Sequence, residues 1–152
     1  MKNLILLALT FLIFCSTNGQ DFRKANWGMS PSQVKSNESL EIIKENNDVL
    51  VYKTTLADFD AYVIYIFAGN KLTRAKYIIT ETHSNKNDYI SDYNTLKSLL
   101  QKKYGTPVEE EQYWKDDLYK NDYSDWGFAV SLGHLVYYTA FKNEKTDVTI
   151  ML

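Results

Sequence analysis

Charged and apolar residues separate sharply at the start of the chain. Lys2 is the only charged side chain before Asp21, and residues 4–14 are almost wholly apolar. An apolar run of this length is too short to cross a bilayer, which takes about 20 residues. Because small residues follow it, the run predicts a signal peptide over residues 1–19, cleaved after Gly19. The mature protein is therefore expected in the periplasm or outside the cell.

Cys15 permits a second interpretation of this leader. A cysteine just after an apolar run can carry a lipid, which would anchor the protein to a membrane. The peptidase that processes lipoproteins cuts after a small residue, and the residue before the cysteine here is the bulky Phe14. Ordinary cleavage is therefore the favoured prediction, and contact with a membrane is expected only if Cys15 is lipidated.

The first helix of the mature chain is predicted by its capping residues. Ser30 and Gln33 have the spacing of a capping box, in which each side chain bonds the backbone N–H of the other residue. Pro31 falls at the first helical position, where its missing N–H costs nothing. Ser36 and Asn37 are expected to end this short helix.

A second, longer helix is predicted by an apolar stripe with spacings of four and three residues. The members of the stripe are Tyr89, Tyr93, Leu96, Leu100 and Tyr104. Asn87 or Asp88 can cap the start of the helix. Gly105 is expected to end it, because glycine adopts the backbone conformation that closes many helices.

The other apolar segments have the composition of strands. Strands are predicted over residues 40–44, 49–55, 61–68, 72–80, 112–115, 126–132, 135–142 and 146–152. Gly69-Asn70 and Gly133-His134 are expected to be turns between consecutive strands. The nearly continuous apolar run 61–68 predicts a central strand that is covered on both faces, whereas Arg74 and Lys76 indicate one solvated face on the next strand.

The order of these elements predicts an α+β fold in which two helices pack on antiparallel meander sheets. Aromatic residues make up 14% of the chain, and twelve of them are tyrosines, which favours sheet over helix. We expect a single domain over residues 20–152. Its halves, residues 20–82 and 83–152, each contain a helix followed by strands, so a tandem duplication of a helix-plus-sheet unit is possible.

The composition argues against several classes of function. The net charge is −2 and the basic residues do not cluster, so nucleic-acid binding is not expected. The mature chain lacks cysteine, and its two histidines, His83 and His134, lie far apart in polar or turn segments. Zinc sites need three or four close ligands, so both are interpreted as surface or turn residues. With no nucleophile elbow and no glycine-rich phosphate loop, we predict no catalytic residue, cofactor or metal.

Several short signatures of this chain are also found together in one group of proteins. They are Phe22-Arg23, Trp27-Gly28-Met29-Ser30, Val34-Lys35, Phe67, Asn70-Lys71-Leu72 and Lys103-Tyr104-Gly105 with Pro107. The chain in this respect resembles small exported bacterial proteins of unknown function. Its Gly-Met-Ser opening also resembles BamE-type assembly lipoproteins, and its tandem plan resembles β-lactamase inhibitor proteins. Both resemblances imply a binding module without an active site, at the level of fold plan alone.

Residues 109–125, hereafter the acidic segment, have the most unusual composition. They carry seven carboxylates against two lysines, and aromatic rings are interleaved with the charges. Such charge asymmetry indicates the kind of partner that a surface accepts. The candidate contact surface consists of Tyr113, Asp116, Asp117, Tyr119, Asp122, Tyr123 and Asp125.

Several interpretations of the acidic segment remain open. The simplest is a solvated loop, with Trp114 and Trp126 in the core on strands and with Trp27 in the core under the first helix. Rings and carboxylates together also suit a glycan surface, two carboxylates could hydrolyse glycans, and calcium takes oxygen ligands of this kind. A structural envelope protein without a defined ligand is a further possibility. We predict a non-enzymatic cell-envelope module that binds protein or peptide; the alternative is a glycan-binding protein or a carboxylate-dependent glycan hydrolase.

Overall fold

The computed structural model describes residues 19–152. The predicted leader, apart from Gly19, and its Cys15 lie outside the described residues. The helices are α1 (Pro31–Asn37), α2 (Asp88–Tyr104) and α3 (Trp126–Ser131), with a short 3-10 helix at Tyr123–Asp125. The strands are β1 (Ile42–Glu45), β2 (Val49–Leu56), β3 (Phe59–Ala68), β4 (Lys71–Ile79), β5 (Glu109–Trp114), β6 (Leu135–Lys142) and β7 (Asp147–Met151).

The strands form two antiparallel meander sheets, which confirms the predicted α+β fold. The first sheet has the order β1-β2-β3-β4 and the second has the order β5-β6-β7. The described residues contain three α-helices rather than the expected two. No helix within residues 19–152 is long and apolar enough to span a membrane. The domain boundaries and the tandem duplication stay predictions.

The predicted capping box starts α1. The Gln33 N–H donates to Ser30 Oγ at 3.4 Å, and the Ser30 N–H donates to Gln33 Oε1 at 2.9 Å. Pro31 is the first helical residue and Asn37 is the last, as predicted. Val34 is fully buried, so the cap directs this helix onto the first sheet.

Within residues 19–152 only one face of the first sheet is covered, so the prediction of a strand 61–68 covered on both faces is wrong for this part of the chain. The inward side chains of β3 are buried, and they are Ala61, Val63, Tyr65 and Phe67. Tyr62, Ile64 and Ile66 point to the other face and are exposed or half-buried. Because both sets are apolar, the usual alternation of inward and outward residues is hidden in the sequence. The Gly69-Asn70 hairpin turn is confirmed, with φ of 56° and 62°.

The second sheet is packed against α2. Tyr93 Oη and Thr139 Oγ1 form a buried hydrogen bond of 2.6 Å between the helix and β6. Gly105 follows the last helical residue with φ of 84°, which confirms the predicted end. Asn87 occupies the N-cap position, but its side chain makes no capping hydrogen bond to the start of α2.

The predicted strand 126–132 is wrong, because Trp126–Ser131 forms α3. Gly133 has φ of 73°, the His134 N–H donates to Ala129 C=O at 2.9 Å, and the Gly133 N–H donates to Val130 C=O at 2.9 Å. These two bonds form a Schellman motif, a common ending of helices. Gly133-His134 therefore ends a helix and is not a turn between strands. A short apolar run does not separate strand from helix by periodicity.

A hydrogen bond joins the N-terminal segment to the second sheet. Trp27 packs against the buried cluster of the first sheet, as expected, and its Nε1 donates to Thr146 Oγ1 at 3.0 Å. Thr146 precedes β7. The cluster itself draws its side chains from residues 22–77. The second sheet has buried side chains of its own, among them Leu135 and Phe141.

Candidate functional site

The acidic segment begins on β5, which is an edge strand of the second sheet. Glu109, Glu110 and Glu111 are all exposed, and Glu110 Oε1 accepts from Lys97 Nζ of α2 at 2.6 Å. The Glu110 side chain therefore lies on the α2 side of the sheet. Because side chains alternate along a strand, Glu109 and Glu111 lie on the opposite face.

The carboxylates of the loop after β5 are occupied locally. Asp116 Oδ1 accepts from the Leu118 N–H at 2.9 Å and so closes a turn. Asp117 Oδ1 lies 3.1 Å from Lys120 Nζ in an exposed ion pair. Exposed pairs of this kind contribute only about 0–1 kcal/mol to stability. Both carboxylates remain on the surface and keep free acceptor positions for a partner.

Asp122 positions the 3-10 helix that leads into α3. Its Oδ1 accepts from Ser124 Oγ at 2.8 Å and from the Ser124 N–H at 2.9 Å. These two hydrogen bonds hold the pKa of Asp122 below its usual range, because they favour the charged carboxylate. Asp125 is half-buried at the N-cap position of α3, where its side chain makes no capping bond.

Two tryptophans and a tyrosine form the first of two aromatic clusters beside α3. The Trp126 ring lies 5.1 Å from the Tyr123 ring and 5.6 Å from the Trp114 ring, measured between centroids. Trp126 Nε1 donates to the Lys120 C=O at 3.1 Å, which ties the loop to the helix. Both tryptophans are half-buried, so they support the surface as well as the fold.

The second cluster is centred on Tyr119. Its ring packs edge-on against Phe128 at 5.4 Å and stacks on His134 at 5.8 Å. His134 was expected as a turn residue, and it follows the Schellman glycine instead. The structure thus brings Tyr119 of the acidic segment together with two residues that lie outside it.

Tyr113 is separated from the other candidate residues. It lies opposite Val136 on the face of the second sheet that carries Glu111, whereas Trp114 lies on the face that carries α2. The predicted contact surface is therefore divided by the sheet. One part consists of Tyr113 with the outward glutamates, and the other consists of the loop and the clusters beside α3.

Sequence reasoning missed three exposed apolar residues of this region. Leu118 is 71% exposed, Leu132 is 49% exposed and Phe128 is 45% exposed. Phe128 and Leu132 are four residues apart, a spacing that places them on one face of a helix. The spacing of four residues between Phe128 and Leu132 is the sequence signal for this exposed face, and the strand prediction for residues 126–132 does not use it.

This geometry does not support calcium binding or glycan hydrolysis by the carboxylates of the acidic segment. Within residues 19–152 no three Asp, Glu, His or Cys side chains lie close enough together to hold a metal ion. Asp116 and Asp122 are engaged with backbone N–H groups, as structural turn residues are. His83, interpreted from the sequence as a surface or turn residue, is half-buried, and its Nε2 lies 2.5 Å from Asp92 Oδ2.

A buried charged group lies elsewhere, beside the core of the first sheet. The Glu38 side chain is 1% exposed, and its Oε1 accepts from Arg23 Nε at 3.0 Å and from Tyr65 Oη. Arg23 also donates to Tyr77 Oη at 3.1 Å. Burial and the hydrogen bond to Glu38 raise the pKa of Tyr65. This network fixes the segment before α1 to the sheet, and we assign it a structural role.

Comparison of the chain with protein-family models, with curated proteins and with solved structures found no match. The resemblances drawn from short motifs therefore stay predictions.

Proposed function

We propose that this protein is a non-enzymatic binding module of the cell envelope that captures a protein or peptide through the acidic segment and the adjoining surface of α3. The observation that carries the proposal is the exposure of large apolar side chains beside carboxylates. Leu118, Tyr123, Phe128 and Leu132 are each 45–71% exposed in a region rich in acidic residues. The envelope location rests on the predicted leader.

A purely solvated loop accounts poorly for these exposed apolar residues. Single apolar residues on a surface are ordinary, but groups rimmed by polar residues mark interaction sites. Burying such side chains in an interface contributes about 25 cal/mol per Å² of apolar area. Tyrosine, tryptophan and phenylalanine are also enriched where proteins bind one another. The two aromatic clusters beside α3 supply that kind of surface.

The charge of the acidic segment indicates a basic partner. The segment contains seven carboxylates and two lysines. Lys97 of α2, which lies outside the segment, forms an ion pair with Glu110. Complementary charge raises association rates and excludes partners of the same sign more than it adds affinity. We therefore expect binding that weakens as salt concentration rises.

A glycan ligand is the second candidate, and one observation favours it. The Tyr123 ring is 59% exposed and is adjacent in sequence to the ionised Asp122, an arrangement that suits stacking on a sugar face. Hydrolysis would need two carboxylates facing each other across a substrate. Since Asp116 and Asp122 form local turns, we propose at most glycan binding for this alternative.

Neutralising the loop carboxylates tests the proposal. The variant Asp116→Asn/Asp117→Asn/Asp122→Asn keeps side-chain size, so it should fold and yet lose capture of a basic protein from envelope extract. A matched control, Asp48→Asn/Asp58→Asn/Asp88→Asn, removes three exposed carboxylates from other surfaces. The captured protein is then purified and titrated against both variants. Equal affinity for the two variants contradicts the proposal.

The glycan alternative is tested on the same two variants and on Tyr123→Ala. Cell-wall and other polysaccharides are incubated with the protein, and both retention and release of reducing ends are measured. Retention lost in Tyr123→Ala but kept in the control variant would favour glycan binding. Release of reducing ends that depends on Asp116, Asp117 or Asp122 would establish a hydrolase.

A further inference from the structure

We infer that the partner binds in an extended conformation and adds to the second sheet as a fourth strand beside β5, with basic side chains at alternate positions. This inference rests on the proposed function and specifies how the same region binds. An extended peptide that joins a sheet edge gains affinity from main-chain hydrogen bonds and specificity from alternate side chains.

The free edge of β5 is regular. All six of its residues pair with β6 without a register shift, and β6 lies on one side only. Glu109–Trp114 contains no proline, lysine or bulge, which many proteins use to block an edge strand; its three glutamates are the blocking charges that it does carry, and they repel acidic strands rather than basic ones. A regular edge of this length can accept a further strand.

The backbone groups that face outward can be assigned from the hydrogen-bond pattern. The Lys115 N–H donates to the His134 C=O at 2.7 Å, and antiparallel pairs exchange these bonds at every second residue. Glu109, Glu111 and Tyr113 therefore bond to β6. The N–H and C=O groups of Glu110, Gln112 and Trp114 point away from it. No other group within residues 19–152 forms a hydrogen bond with them.

The edges of the first sheet are less open. At the start of β4, the Leu72 N–H donates to Met29 C=O at 2.7 Å and the Gly28 N–H donates to Leu72 C=O at 2.9 Å. The opposite edge, β1, has four residues and an irregular register. The remaining edge, β7, carries one carboxylate, Asp147, which lies 3.4 Å from Lys142. The acidic edge is therefore β5.

The charges on β5 determine which strand can join it. Glu109, Glu111 and Tyr113 share one face, and neither of these glutamates has a cation within 4.0 Å among the described residues. A strand paired with β5 places its own alternate side chains directly opposite these three. Lysine or arginine opposite the glutamates, and an aromatic or apolar residue opposite Tyr113, would complement this face.

A second copy of the chain is the other occupant that this edge could take. Antiparallel pairing of β5 with another β5 about Gln112 places Glu109 opposite Lys115 but leaves Glu111 opposite Tyr113. A cationic strand instead places a cation opposite both glutamates of this face, so the edge pairs more of its charge with a cationic strand than with a second copy. Binding of a second copy is one of the outcomes that the experiment below distinguishes.

The first experiment titrates the full mature protein with a synthetic peptide of about nine residues, in which lysine alternates with valine or threonine. Amide hydrogen exchange is followed by NMR. The outward N–H groups of Glu110, Gln112 and Trp114 should exchange more slowly in the complex. The same peptide methylated on its edge-facing backbone nitrogens should bind about tenfold more weakly or worse. Methylation of the alternate nitrogens serves as the control.

Variants of the protein test strand addition at β5 independently of changes to the peptide. Gln112→Pro removes an outward N–H that the fold does not use, and Thr149→Pro does the same on β7. We expect Gln112→Pro to lose the peptide and Thr149→Pro to keep it. Glu109→Gln/Glu111→Gln should weaken binding by about tenfold and reduce its dependence on salt. If Gln112→Pro does not fold, the methylated peptides decide.

Equal binding of both methylated peptides, no protection of the outward N–H groups, or no binding of the peptide would overturn strand addition. Concentration-dependent dimerisation that protects the same groups would replace the peptide with a second copy and would also overturn the proposal. The loop variants report separately on the proposed function. If they lose the captured protein while Gln112→Pro keeps it, the module binds its partner without β5.

Discussion

The Trp27 indole donates its N–H to the Thr146 hydroxyl at 3.0 Å, across 119 residues of sequence. Trp27 packs against the buried cluster of the first sheet, and Thr146 immediately precedes β7 of the second. The bond therefore connects the two halves of the described chain. Nearby, Lys145 Nζ lies 4.0 Å from Asp21 Oδ1, a weaker contact between the same two segments.

Removing this hydrogen bond should weaken the coupling between the two halves. Trp27→Phe keeps an aromatic ring but deletes the donor, and we expect it to lower the free energy of unfolding by at least about 1 kcal/mol. Thr146→Val removes the acceptor. In a double-mutant cycle measured by urea unfolding, the two changes should be less than additive. Thr149→Val, at an exposed position of β7, is the control. If the effects of Trp27→Phe and Thr146→Val add fully, the hydrogen bond contributes nothing to stability.

The stability of the protein should respond differently when phenylalanine replaces Tyr52 and when it replaces Tyr65, two buried tyrosines of the first sheet. Their rings meet edge-on at 6.0 Å. Tyr65 Oη donates to the buried Glu38, so Tyr65→Phe should cost about 1.5–3 kcal/mol. Tyr52 Oη is buried and has no hydrogen-bond partner among the described residues, so Tyr52→Phe should be neutral or stabilising. Chemical unfolding of both variants checks this, and equal losses would contradict it.

Local chemistry made much of the fold predictable. The capping box of Ser30 and Gln33, the two-residue turn at Gly69-Asn70 and the glycine after α2 each act within a few residues. Such signals can be recognised in the sequence because the residues that start or end an element lie next to that element. The α+β class followed from their order along the chain.

The errors arose where distant residues decide the structure. Trp126–Ser131 is helical, and its Gly127 N–H is held by Asn87 Oδ1 from 40 residues away at 2.6 Å. The same Asn87 was predicted to cap α2. The seven candidate contact residues are close in sequence, but the pleat of β5 places Tyr113 on the other face of the sheet. Phe128 and His134 complete the Tyr119 cluster from outside the acidic segment.

Gly127 should tolerate no side chain, because α3 approaches the start of α2 there. A Cβ at this position would lie 2.1 Å from the Lys86 carbonyl carbon and 2.3 Å from the Asn87 nitrogen. Alanine is better than glycine in a helix by about 1 kcal/mol, so local propensity alone predicts stabilisation. We expect Gly127→Ala instead to destabilise by about 2 kcal/mol or more, because the backbone must shift.

Thermal unfolding separates these two expectations. Ser131→Ala in the same helix improves propensity without a comparable clash, so its Tm should stay the same or rise slightly. The Tm of Gly127→Ala should fall by several degrees. A rise in Tm for both variants would show that α3 can move away from α2 without cost.

Alkaline conditions should destabilise the protein through its buried tyrosines. Burial, together with the nearby Tyr123 and Tyr93, raises the pKa of Tyr137 to about 12. In the unfolded chain the pKa of this phenol is about 10, so the folded state holds the proton more tightly. The resulting stability is fully present below about pH 10 and is lost as pH rises from about 10 through 12.

Tyr137→Phe should reduce this loss of stability, since the variant has no proton to release at that position. The slope contributed by one such group is at most about 1.4 kcal/mol per pH unit in this window. The urea midpoint of the wild type should therefore fall more steeply between about pH 10 and pH 12 than the midpoint of Tyr137→Phe. Parallel profiles for the two proteins would show that Tyr137 does not contribute to this loss of stability. Tyr113→Phe is the matched control, because its ring is 59% exposed. If the control flattens the alkaline profile as much as Tyr137→Phe does, burial beside α2 is not the cause of the pH dependence.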